Sequence, residues 1–143
     1  LILQPVNSGG GSAPTTAKAE CLLTDEVGDA VYIRGPRTGS RYLVAKCDPT
    51  DLSKMPSWGI IIQKEISGTE CVVQISGLMQ GYYTDLAPGR RYFVGLDGKP
   101  RLPEDFSGPS PSQKHRIQSL GISLDTGVLL LRPSTDLITR VGL

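Results

Sequence analysis

The sequence predicts an all-β domain, a small antiparallel β-barrel or sandwich, and three observations carry that prediction. There are 17 glycines and 11 prolines among 143 residues, a share that suits many short strands joined by turns better than helices. Apolar residues recur with a period of two over most of the chain. Residues suited to tight reversals stand between the apolar runs.

Leu1 to Glu20 contains Gly9-Gly10-Gly11-Ser12 and then Pro14-Thr15-Thr16, too few large side chains to offset the entropy of ordering. It is expected as a flexible N-terminal arm (1–20), with 21–143 forming a single β domain. Leu1, Ile2, Leu3 and Val6 are apolar, which a plain linker does not require, and they are candidate contacts with a neighbouring subunit. Beyond Cys21, β-branched and aromatic residues predict strands at Ala30 to Arg34, Arg41 to Lys46, Trp58 to Ile66, Arg90 to Leu96 and Gly127 to Arg132. Between Thr69 and Ser76, the residues Thr69, Cys71, Val73 and Ile75 share one face, opposite Glu70, Gln74 and Ser76. Leu120, Ile122 and Leu124 alternate in the same way with Ser119, Gly121 and Ser123.

Ser67-Gly68, Asp97-Gly98 and Asp125-Thr126-Gly127 supply the hairpin reversals. Helical signals are brief. Asp48-Pro49 reads as an N-cap and first helical position leading to Leu52 and Met55, and Leu137, Ile138 and Val141 share a helical face near the end. Asp97 to Arg116 holds Pro100, Pro103, Pro109 and Pro111, which predicts a long Pro-rich surface loop. Phe106 in that loop has no periodic companions and is a candidate docking residue.

The 15 Lys and Arg against 14 Asp and Glu leave a net charge of +1, which argues against a nucleic-acid partner. No stretch approaches the ~20 apolar residues of a membrane span, so a soluble chain without a membrane partner is expected. Cys21, Cys47 and Cys71 lack Cys-x-x-Cys spacing and read as buried thiols of a reducing cytoplasm. With a single histidine, His115, they make no zinc pattern. His115 lies between Lys114 and Arg116 and is expected as a solvated loop residue. Gly35 to Ser40 lacks the Gly-Lys-Ser/Thr end of a phosphate loop and reads as a hairpin tip. These patterns assign no catalytic, cofactor-binding or metal-binding residue. Trp58, Tyr92 and Phe93 fall in strand runs and are expected in the core, whereas Tyr82 and Tyr83 follow Gly81 and are expected at the surface as contact residues.

Several segments taken in succession carry a resemblance: Val27 to Tyr32, Val44 to Asp48, Pro56 to Ile62, Leu86 to Val94 and Gln118 to Leu124. Over most of Cys21 to Arg132 the chain resembles β-rich virion proteins of tailed bacteriophages, notably head decoration (cement) proteins and related modules of head and tail fibres. The resemblance implies a non-enzymatic homotrimer on the head surface, assembled in the bacterial cytoplasm, whose partners are other copies of itself and the major capsid protein. It also implies a turn at Gly28-Asp29, another at Pro88-Gly89, and close packing at Gly121. The alternative it leaves open is a fibre module binding a host surface glycan through Tyr82, Tyr83 and Trp58.

Overall fold

The computed structural model describes residues 13–105 and 114–141. The described residues are all-β, and the sheets are arranged as a sandwich rather than a closed barrel. The strands are β1 (Thr15–Glu20), β2 (Ala30–Thr38), β3 (Arg41–Lys46), β4 (Gly59–Lys64), β5 (Glu70–Gln80), β6 (Arg91–Val94), β7 (Pro100–Arg101), β8 (Lys114–Ile117), β9 (Ser119–Asp125), β10 (Val128–Leu131) and β11 (Ile138–Val141). Nine pair in the order β1-β3-β2-β4-β5-β10-β9-β6-β7, with β1 also paired to β5, and β8 pairs with β11. All ladders are antiparallel except the two-residue β1–β3 contact, Ala19 with Tyr42 and Glu20 with Leu43.

Two apolar clusters explain the layering. One collects Ala30, Ile60, Met79, Tyr92, Val94, Leu120, Leu129 and Leu131, the other Ala19, Cys21, Val31, Val44, Ile61, Cys71 and Val73. Ala30 and Val31 are sequence neighbours in different clusters, as are Ile60 and Ile61. β2 and β4 are thus buried on both faces where they meet, which is why the β4 sequence is a continuous apolar run instead of an alternation. β5 joins the halves. Residues from Glu70 to Ser76 pair with β1, those from Gly77 to Gln80 with β10. Gly77 sits at the change-over with φ +101, and a Cβ there would strike the Ala13 and Pro14 backbone, so only glycine suits the position.

The expected strands at 30–34, 41–46, 58–66, 69–76, 90–96 and 127–132 each overlap an observed strand, with limits differing by a few residues. Ser67-Gly68, Asp97-Gly98 and Asp125 to Gly127 lie at the expected reversals. Four expectations need correction. Thr15–Glu20 belongs to the sheet and not to a flexible arm: Ala19 is 1% exposed and the six residues pair with β5, so backbone pairing and a small buried side chain outweigh poor strand propensity. The helical face at Leu137, Ile138 and Val141 is replaced by β11, whose Ile138 pairs with Ile117 of β8. The long loop is interrupted, because β7, a short 3-10 helix at Pro103–Asp105 and β8 lie within it. The Asp48 helix shrinks to a 3-10 turn at Leu52–Lys54, capped by Asp51 and not Asp48.

The β9 strand also differs in phase. Leu120 is buried, but Ile122 and Leu124 are 39% and 53% exposed, and Ser123 is buried in their place. The register between β9 and β6 slips between Ser119 and Gly121, a bulge that reverses the inward and outward positions beyond it. Gly121 has φ +151 and a Cβ on it would collide with the Leu130 carbonyl oxygen, so the close packing expected there is present.

Candidate interaction surface

The bulge places a contiguous apolar row on the outer face of the β5-β10-β9-β6 sheet. Leu78 pairs with Leu130, Leu130 with Ile122, and Ile122 with Arg91. Side chains directly opposite on one sheet face lie ~5 Å apart at Cβ, so the four residues form one band across four strands. Leu124 extends it along β9. Arg91 and Arg132 flank a shallow depression floored by Ile122, Gly121 and Leu130. Neither arginine forms an ion pair among the described residues.

Buried polar side chains brace the sheet behind this face. Ser123, fully buried, donates its hydroxyl to the Ala87 carbonyl, and the Gly89 amide bonds the Ser123 carbonyl at 2.8 Å. The Ala87 amide donates to the Tyr92 hydroxyl at 2.7 Å. The Pro88-Gly89 turn, with Gly89 at φ +77, is thereby tied to β9 and β6. Gln118, 1% exposed, accepts from the Ser57 amide at 2.6 Å and donates to the Ser57 and Ser134 carbonyls at 3.0 and 2.9 Å.

The second brace surrounds Asp29, whose side chain is fully buried. Its carboxylate accepts from Lys99 Nζ at 2.6 Å and from the Glu26 amide at 2.9 Å. Burial disfavours the charged Lys99, but the Asp29 hydrogen bond and charge outweigh it and hold the ammonium above the ordinary lysine pKa. The Gly28-Asp29 turn, present as expected before β2, is thus clamped to the β6–β7 hairpin. Tyr83 completes the clamp by donating its hydroxyl to the Gly28 carbonyl at 2.9 Å. Burial, then the Asp29 charge, push the Tyr83 phenol well above its usual value.

The expected contact residues separate in this structure. Tyr82 is 38% exposed, whereas Tyr83 packs against the first apolar cluster and is withdrawn from the surface by its bond to Gly28. Trp58 packs on the second cluster, its ring centroid 4.8 Å from that of Tyr42, over which Arg37 lies at 5.4 Å. Trp58 and Tyr83 therefore do not form one stacking platform. Phe106 and Leu1, Ile2, Leu3 and Val6 lie outside the described residues. His115 is 3% exposed on β8, not solvated, because β8 folds back on the Cys47 to Pro49 segment: the Arg116 amide donates to the Pro49 carbonyl at 2.8 Å.

All three thiols are buried and free. Burial pushes Cys47 up to about 12. Among the described residues no group of three or more His, Cys, Asp or Glu is placed to hold a metal ion, and no helix is long and apolar enough to cross a membrane. The row Leu78, Leu130, Ile122 and Arg91 was missed by reading β9 as an unbroken alternation; Gly121 between two apolar residues was the available signal of a bulge. The chain matches no protein-family model, curated protein or solved structure.

Proposed function

We propose that this chain is a non-enzymatic virion structural protein that decorates the head of a tailed phage, binding the major capsid protein as a homotrimer and stabilising the shell. The observation that carries the reading is the row of Leu78, Leu130 and Ile122 ending at Arg91 on an outer sheet face. A half-exposed apolar band rimmed by arginines that form no ion pair among the described residues fits a protein surface that offers apolar side chains ringed by carboxylates. The polar braces at Gln118, Ser123 and Asp29 support it, since a face held rigid before docking loses less entropy on association. Three such faces in a trimer multiply weak contacts into avidity.

Co-sedimentation with empty heads of tailed phages tests the reading. Leu130→Asp and Ile122→Asp place a carboxylate in the band, and each is expected to lower head occupancy at least tenfold while leaving the fold intact. Occupancy equal to the parent protein in both variants contradicts it. The candidate arm is tested separately by removing residues 1–12 alone, because a cut to Glu20 also removes β1.

One observation favours a second reading, a fibre module binding a host glycan. Trp58 lines a shallow, mostly apolar groove with Pro56, Ile75 and Pro133, edged by Ser76, Ser134 and Thr135, an aromatic ring beside hydroxyls that suits a sugar ring. That reading requires glycan binding that is lost in Trp58→Ala; binding that survives the substitution counts against it.

A further inference from the structure

We propose that Cys21 and Cys71 form a reversible dithiol–disulfide couple that staples the end of β1 to β5. Both side chains point into the same apolar cluster, at 1% and 6% exposure. The register fixes their relation. Ala19 pairs with Cys71, and just past the strand end the Cys21 amide donates to the Thr69 carbonyl at 2.9 Å. Cys21 therefore stands diagonally from Cys71 on one sheet face, and the Cys21 thiol donates to the Thr69 carbonyl at 3.4 Å. Diagonal Cα atoms in an antiparallel pair lie ~7–8 Å apart, slightly beyond the ~4.4–6.8 Å of a relaxed disulfide. The Cys21 backbone, beyond the end of β1, has to move inward a little, and a bridge that holds such strain is readily reduced.

Both thiols are buried, so the oxidant reaches them when the end of β1 opens locally. Cys21 lines a shallow depression with Leu22, Leu23 and Arg34, and Cys71 lines another with Lys18, Arg41 and Lys64. The oxidant is a low-molecular-weight disulfide such as oxidised glutathione. The Cys21 thiolate attacks one of its sulfurs, forming a mixed disulfide and expelling one small thiolate. The Cys71 thiolate then attacks the Cys21 sulfur and expels the second. The two protein protons end on the two released thiols, so two electrons pass from the protein to the small disulfide. Burial raises both thiols, Cys71 to about 12, so closure accelerates with rising pH as thiolate forms. Cys47 belongs to the other cluster and is the internal control.

The test equilibrates the reduced full chain with glutathione buffers of stepped ratio, quenches with acid, alkylates free thiols and maps peptides by mass. The expected product is a monomer lighter by two hydrogen atoms before alkylation, with a Cys21–Cys71 cross-linked peptide and label on Cys47 alone. Cys47→Ser retains it; Cys21→Ser and Cys71→Ser do not. The bridged chain unfolds at higher denaturant than the reduced one. Alkylation of all three cysteines at the most oxidising ratio, a bridge involving Cys47, or cross-linking only between chains overturns the proposal. The wild-type peptide map decides this even if a serine variant fails to fold.

Discussion

Replacing Gln118 by leucine, nearly the same size, removes three hydrogen bonds at once from a residue 1% exposed. The Ser57 amide and carbonyl lose their partners in a buried segment, Ser57 being 5% exposed. Each orphaned group costs about 1–3 kcal/mol. The Ser134 carbonyl belongs to a half-buried residue and regains water at little cost. Leucine returns roughly 1 kcal/mol because no amide is left to desolvate. The net loss is about 3 kcal/mol, a large part of the ~5–15 kcal/mol expected of a domain. With a urea slope of roughly 2 kcal/mol/M, the midpoint falls by about 1.5 M. Trp58, the chain's single tryptophan, adjoins Ser57 and reports the transition by fluorescence. Gln118→Glu keeps an acceptor for the Ser57 amide but points a carboxylate at two carbonyls. It is expected to be less stable than Gln118→Leu at pH 7 and to recover as acid protonates it. A leucine variant within about 0.3 M of the parent, or a glutamate variant as stable as the parent at pH 7, refutes the role given to this side chain.

Gly121→Ala forces a Cβ onto the Leu130 carbonyl at φ +151 and is expected to cost about 2–4 kcal/mol and shift β9 against β10; thermal melts and amide exchange at Ile122 and Leu130 check it. The reduced protein is expected to lose stability in alkali. Cys47 and Cys71 rise from 9.0 to about 12 on folding, so the folded state holds their protons more tightly. Their contribution is complete below pH 9 and drains away between pH 9 and about 12, at about 1.4 kcal/mol per pH unit for Cys47 and less for Cys71, which titrates together with Cys21. Cys47→Ala removes one share of that slope, which urea titrations at stepped pH measure.

Strands whose burial is periodic or continuous could be read directly from the chain. Ile60 to Ile62, Val44-Ala45 and Leu129 to Leu131 are β-rich and bounded by turn residues, so local and tertiary preferences agree. β1 was not legible because Ala17-Lys18-Ala19-Glu20 has little strand propensity and owes its conformation to neighbours on β5 and β3. β8, with Lys114-His115-Arg116, looks solvated until its pairing with β11 is known. The surface row was hidden for a different reason. Its residues are spread over four strands, and one extra residue near Gly121 decides whether Ile122 faces the core or solvent. Tyr83 turned inward through a contact with Gly28, 55 residues away, which no local pattern encodes.

Native mass measurement of the purified chain, followed by counting the copies bound per empty phage head, tests the assembly reading most directly. An assembly of about three times 15.3 kDa is expected, with bound copies in multiples of three that fall in the Leu130→Asp variant. A monomer that leaves the mass of the heads unchanged contradicts it.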